Sequence, residues 1–108
     1  MIILDENILL TQQQQLHDRS IRTKQIGSDL GRSGMKDYEI LALLPQLRHV
    51  TFFTRDLDFY RRRYCHRRYC LVFLDVPSEE VALTVRRFLR HPNYRTQALR
   101  MGWVLSVG

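Results

Sequence analysis

The chain has 108 residues, enough for one domain with one core, and a hydrophobic fraction of 44% argues against wholesale disorder. No apolar run approaches the ~20 residues of a membrane helix, and the opening Met1-Ile2-Ile3-Leu4 is cut short by Asp5 and Glu6, unlike a signal peptide. A cytoplasmic protein is the expectation. The net charge of +6 is uneven: residues 59–69 hold Arg61, Arg62, Arg63, Arg67 and Arg68 and no acid, so they supply five of the six charges. Such a block attracts polyanions.

In chain order, strand and helix alternate. Ile2 to Leu4 is a short buried strand. Ile8 to Asp18 is helical, rich in straight-chain Leu and Gln, and Gln12 to Gln15 read as its solvated face. Ile21 to Ile26 is a weak strand, and the glycines of 27–34 make a loop. From Met35 or Lys36 to Leu47, Ile40, Leu41, Leu44 and Leu47 form a helical stripe, with Pro45 late in it. Val50 to Thr54 is β-branched and aromatic, a good strand. Leu57 to Arg63 predicts a short helix. Leu71 to Val76 predicts a strand, closed by Pro77. Ser78 is a candidate N-cap, with Glu79 and Glu80 in the first turn of a helix whose face is Val81, Val85, Phe88 and Leu89. Pro92 ends it, and Trp103 to Val107 is a last strand. Alternation of this kind predicts a mainly parallel sheet covered on both faces, with the functional crevice outside the carboxyl ends of the strands.

That rule gives the acids their meaning. Two strands end in carboxylates, LDEN at Leu4–Asn7 and TRDLDF at Thr54–Phe59. If they are parallel neighbours, Asp5 and Asp56 emerge at one edge, with Asp58 beside them. Asp37 lies three and four residues before Ile40 and Leu41, so it continues the inward stripe of its helix; Glu39 falls off it. Converging carboxylates repel one another unless cations are present, and hard divalent cations suit oxygen ligands. Singly, each acid also fits an ordinary role: turn residue, helix cap or helix start.

LDEN, MKDYEILAL and FFTRDLDF, in this order and spacing over the first two thirds of the chain, resemble the PIN-like family of small, toxin-related proteins. The TRDxDF element is the most specific part. The resemblance implies a single domain over residues 1–108, a three-layer α/β/α sandwich with a mainly parallel central sheet. It implies a ribonuclease dependent on Mg²⁺ or Mn²⁺, often the toxin of a toxin–antitoxin pair. Asp5, Asp37, Asp56 and Asp58 would be its catalytic, metal-binding acids. Thr54 would orient a carboxylate, with Glu6 and Asn7 as accessories. The chain is shorter than the larger PIN proteins and carries an Arg-rich insertion after Asp58.

That insertion, FYRRRYCHRRYC over Phe59–Cys70, pairs a phosphate-binding chemistry with base-stacking rings. Arg55, Arg61, Arg62, Arg63, Arg67 and Arg68, with Tyr60 and Tyr64, are candidate RNA contacts, and an acidic antitoxin could cover the same patch. The alternative is a solvated segment. Cys65, His66 and Cys70 lack a fourth ligand and a zinc-finger spacing, and neither a disulfide nor a zinc site is expected. A non-catalytic RNA-binding or regulatory module is the competing reading. A receiver-like phosphoacceptor would need a late lysine, and the only lysines are Lys24 and Lys36. A homodimer is the expected assembly.

Overall fold

The computed structural model describes residues 1–108. The strands are β1 (Ile2–Leu4), β2 (Lys24–Gln25), β3 (Val50–Thr54), β4 (Tyr69–Leu74) and β5 (Val104–Val107); the helices are α1 (Leu10–Asp18), α2 (Asp37–Leu43), α3 (Val81–Arg90) and α4 (Gln97–Arg100). All strands are parallel, in the order β2-β1-β3-β4-β5. Every residue of β3 is buried, as its central place and its sequence VTFFT require.

Side chains alternate between two cores. On one face Leu4, Phe53, Cys70, Val72 and Leu74 meet Leu16 of α1 and Val81, Val85 and Phe88 of α3. On the other, Ile3, Phe52 and Leu71 meet Ile40 of α2, Leu44 and Phe59. The sheet is thus covered on both faces. Three of the four crossovers share one hand. The last, β4-α3-β5, lies on α1's face while running the opposite way across the sheet from β1-α1-β2, so its hand is opposite, against the usual uniformity. This leaves the outer part of α2's face thinly covered, by Tyr60 stacked on Phe73 at 6.3 Å between centroids.

Several sequence expectations are corrected. The stripe of α2 is helical only to Leu43; Pro45 turns the next residues, Leu44–Gln46, into a 3₁₀ turn. The second strand shrinks from residues 21–26 to Lys24–Gln25, and β4 runs from Tyr69 to Leu74 instead of 71–76. The segment 57–63 is two 3₁₀ turns, Leu57–Phe59 and Arg62–Tyr64, because burying Phe59 and half-burying Tyr64 bends the chain onto the sheet. Ser78 makes no capping bond; it starts a 3₁₀ turn, Ser78–Glu80, and α3 begins at Val81. Gln12 and Gln13 are buried, not solvated: Ala82 N donates to Gln12 Oε1 at 2.9 Å, so α1 satisfies the start of α3. The short α4, capped by Thr96, was not foreseen.

Candidate metal centre

The chain leaves β1 toward β2 and leaves β3 toward β4, in opposite directions across the sheet. The crevice beyond the carboxyl ends of β1 and β3 is therefore the topological switch point, where open α/β sheets bind ligands. LDEN and TRDLDF deliver their acids there.

Asp5 is the innermost of these. Its backbone N–H continues the β1–β3 ladder by donating to Phe53 O at 2.9 Å, and the residue is only 8% exposed. Thr54 Oγ1 donates to Asp5 Oδ2 at 2.6 Å and Glu6 N donates to Oδ1 at 2.8 Å. The same Thr54 hydroxyl accepts Asp56 N at 2.9 Å, so one buried side chain ties the two strand ends together. Burial pushes the Asp5 carboxyl above the ordinary carboxylate range; the Thr54 and Glu6 hydrogen bonds pull the other way, and the charges of Asp56 and Glu6 add to the rise.

In front of Asp5, one carboxylate oxygen from each of Asp37, Asp56 and Asp58 lies within 4.8 Å of the others. Asp58 N donates to Asp56 Oδ1 at 2.9 Å, a side-chain cap that starts the 3₁₀ turn Leu57–Phe59. Phe59 anchors that turn against Phe52, edge to face at 5.2 Å, which holds Asp58 at the crevice. Asp37 opens α2 on the same stripe as buried Ile40 and Leu44. Its carboxyl is also raised, by partial burial first and then by the charges of Asp56, Asp58 and Asp5.

The donor set fits a hard divalent cation. With ligands at ~2.1 Å, two oxygens across an Mg²⁺ ion are about 4.2 Å apart. Asp56 and Asp58 are exposed, and each keeps a carboxylate oxygen outside its contact with Asp58 N or Arg61. These three carboxylates can hold a metal ion. Asp5 stands behind them, both its oxygens already bonded to protein donors. The exposed Arg61–Asp58 pair at 3.6 Å offsets little of the local negative charge.

The other residues singled out from the sequence divide. Asn7 and Arg55 line, with Asp5, Ile8 and Asp56, a cleft of about 210 Å³; Arg55 Nε is fixed by donating to Val76 O at 2.9 Å. Glu6 turns away into the glycine loop. Ser33 Oγ donates to it at 2.6 Å and Gly34 N at 2.9 Å, which together hold its carboxyl below the usual range. Gly27, at φ 97°, admits it: a Cβ there would stand 2.7 Å from Glu6 Oε2. Glu39 accepts from Lys36 N at 3.0 Å and pairs with Arg32, a helix-start role that fits its place off the inward stripe. Sequence reasoning missed Gln25, whose buried amide donates to Asp5 O, Glu6 O and Ile8 O at 3.2, 3.1 and 2.8 Å and so fixes the loop after β1. A lone Gln in a weak strand gives no signal for that.

Arg61, Arg62, Arg63, Arg67 and Arg68 are all exposed, and only Arg61 is in an ion pair. Tyr64 is partly engaged: Arg63 lies 5.1 Å over its ring, and Tyr69 Oη donates to its carbonyl at 2.6 Å. His66 stacks on Tyr69 at 5.1 Å. Cys65 is exposed while Cys70 is buried under α3, its thiol pushed up to about 12 by that burial. The two thiols and His66 form no ligand cluster; the acids are the only such group. No family model, curated protein or solved structure matches this chain.

Proposed function

We propose that this protein is a metal-dependent endoribonuclease acting on single-stranded RNA, the toxin of a toxin–antitoxin pair with a PIN-like fold. The observation that carries the reading is the convergence of Asp37, Asp56 and Asp58 at the switch point, where an exposed arginine segment begins at Arg61. Those acids would hold Mg²⁺ or Mn²⁺, which when bound supplies an activated water and charge stabilisation at a phosphodiester. Asp5, held by Thr54 and Glu6, positions Asp56 through the shared hydroxyl. Arg62, Arg63, Arg67 and Arg68 bind backbone phosphates, and Tyr60 offers a ring to an unpaired base. An acidic antitoxin would be drawn to the same arginines, and the chain would pair as a homodimer.

The test is cleavage of single-stranded RNA by the purified chain with Mn²⁺, with Mg²⁺ and with EDTA. Cleavage only with metal, lost in Asp56→Asn and in Asp5→Asn, is the expected result. Cleavage that survives EDTA, or that Asp5→Asn leaves untouched, overturns the mechanism. Two observations favour the non-catalytic RNA-binding alternative: both oxygens of Asp5 are filled by protein donors, and Arg61 sits on Asp58. Calorimetry with Mn²⁺ separates the readings, because the alternative has no heat that Asp56→Asn abolishes.

A further inference from the structure

At the opposite end of the sheet, where β1 and β2 begin, lies an open cavity of about 570 Å³, within the range of small-ligand sites. Its apolar lining is Met1, Ile2 and Ile21, with the Met1 ammonium donating to His49 O at 3.1 Å. Its rim carries His17, Arg22 and Lys24 with the hydroxyl residues Ser20 and Thr23, and no acid lines it. Arg22 and Lys24 are exposed and belong to neither of the chain's salt bridges.

The local backbone explains the shape. Ser20 takes a left-handed φ of 63° and ends α1, so residues 21–24 fold back beside the helix. Two of the last carbonyls of α1 are occupied: Leu16 O accepts from Arg19 N and Ile21 N, and His17 O from Ser20 N, which reduces the negative end that the helix turns to the cavity. His17 Nε2 and Thr23 Oγ1 are 3.1 Å apart, and Gln13 Nε2 also reaches Thr23, which fixes this wall.

We infer that this cavity binds a nucleoside monophosphate. Two unpaired side-chain cations match the charge of a terminal phosphate, about −1.5 to −2 at neutral pH, better than the single charge of an internal phosphodiester. The apolar lining suits a base or ribose face, and the hydroxyls suit sugar or phosphate oxygens. The site does not depend on the acidic centre, which lies beyond the other ends of the same strands.

The experiment is an amide NMR titration of the full chain, without divalent cation, using adenosine 5′-monophosphate, inorganic phosphate and adenosine in parallel. The monophosphate should shift residues 20–24 saturably and bind at least about tenfold more tightly than either fragment. Arg22→Ala/Lys24→Ala should weaken it by about tenfold or more, with the spectrum otherwise folded, and Arg22→Lys/Lys24→Arg should retain it. Asp56→Asn should leave it unchanged. Shifts confined to residues 61–68, equal binding of a fragment, or full binding by the double alanine variant overturns the proposal.

Discussion

Thr54 makes two hydrogen bonds in opposite senses with one hydroxyl, donating to Asp5 and accepting from Asp56 N. Valine is close in shape but leaves a buried carboxylate short of a donor and an amide without its acceptor. Thr54→Val should therefore lose about 1–3 kcal/mol in urea unfolding. It should also weaken Mn²⁺ binding, although Thr54 is not itself among the clustered acids. Unchanged Mn²⁺ affinity would mean that Asp56 is held by its own turn alone. Asp37 gives a pH signature. Asp5 and Asp37 are both raised, so the folded chain keeps protons that the unfolded chain has released. Their contribution to stability is fully present below the ordinary carboxylate range and falls as pH rises through the folded values. Asp37→Asn should accordingly raise the Tm of the metal-free protein at neutral pH, and the gain should fade on acidification. Saturating Mn²⁺ should reverse the order, because it stabilises only the chain that retains the carboxylate. A lower Tm for metal-free Asp37→Asn at neutral pH would refute the repulsion argument.

At the scale of elements, the buried glutamine is the sharpest lesson. Gln12 to Gln15 look like one polar strip, yet helical geometry turns Gln12 and Gln13 inward, where Gln12 accepts from Ala82 N in the first turn of α3. Gln12→Ala should cost about 0.5–2 kcal/mol in urea unfolding, the range of a lost helix cap. Gln14→Ala, on the exposed side, should cost clearly less; equal losses would remove α3 capping as the cause. The strands and the acid positions were legible because they rest on local pattern: β-branched runs ending in Asp, and the i, i+3 stripe that puts Asp37 with Ile40. What escaped depends on partners distant in sequence. The 3₁₀ turns of 57–64 follow from burying Phe59 and Tyr64, Glu6 is claimed by a loop some thirty residues on, and the hand of the last crossover has no local signature. The four expected acids accordingly resolve into three clustered carboxylates with the more deeply buried Asp5 outside the cluster.

For the whole molecule, charge is distributed by pole. The carboxyl ends of the strands carry the acids; the arginine segment starts beside them at Arg61 and runs to the amino ends, where Arg68 precedes Tyr69 opposite Val50 and where the cationic cavity also lies. RNA held for the proposed chemistry would run from the acids along the arginine segment, and counterion release makes that measurable. For single strands, the slope of log K against log salt is about −0.7 per phosphate neutralised. The exposed, unpaired Arg62, Arg63, Arg67 and Arg68 should each contribute, whereas Arg61 is shared with Asp58. Arg62→Ala/Arg63→Ala should therefore shallow the slope by about 1.4, and adding Arg67→Ala/Arg68→Ala by about as much again. Arg61→Ala should change it less, because Arg61 lies against Asp58, and Asp58→Asn, which removes that neighbouring charge, should steepen the slope. Fluorescence anisotropy with a short unstructured RNA, over a salt series and in EDTA, measures all of these without cleavage. A slope that none of the arginine variants alters would move RNA binding off this face, and would leave the acidic crevice without a device for holding its substrate.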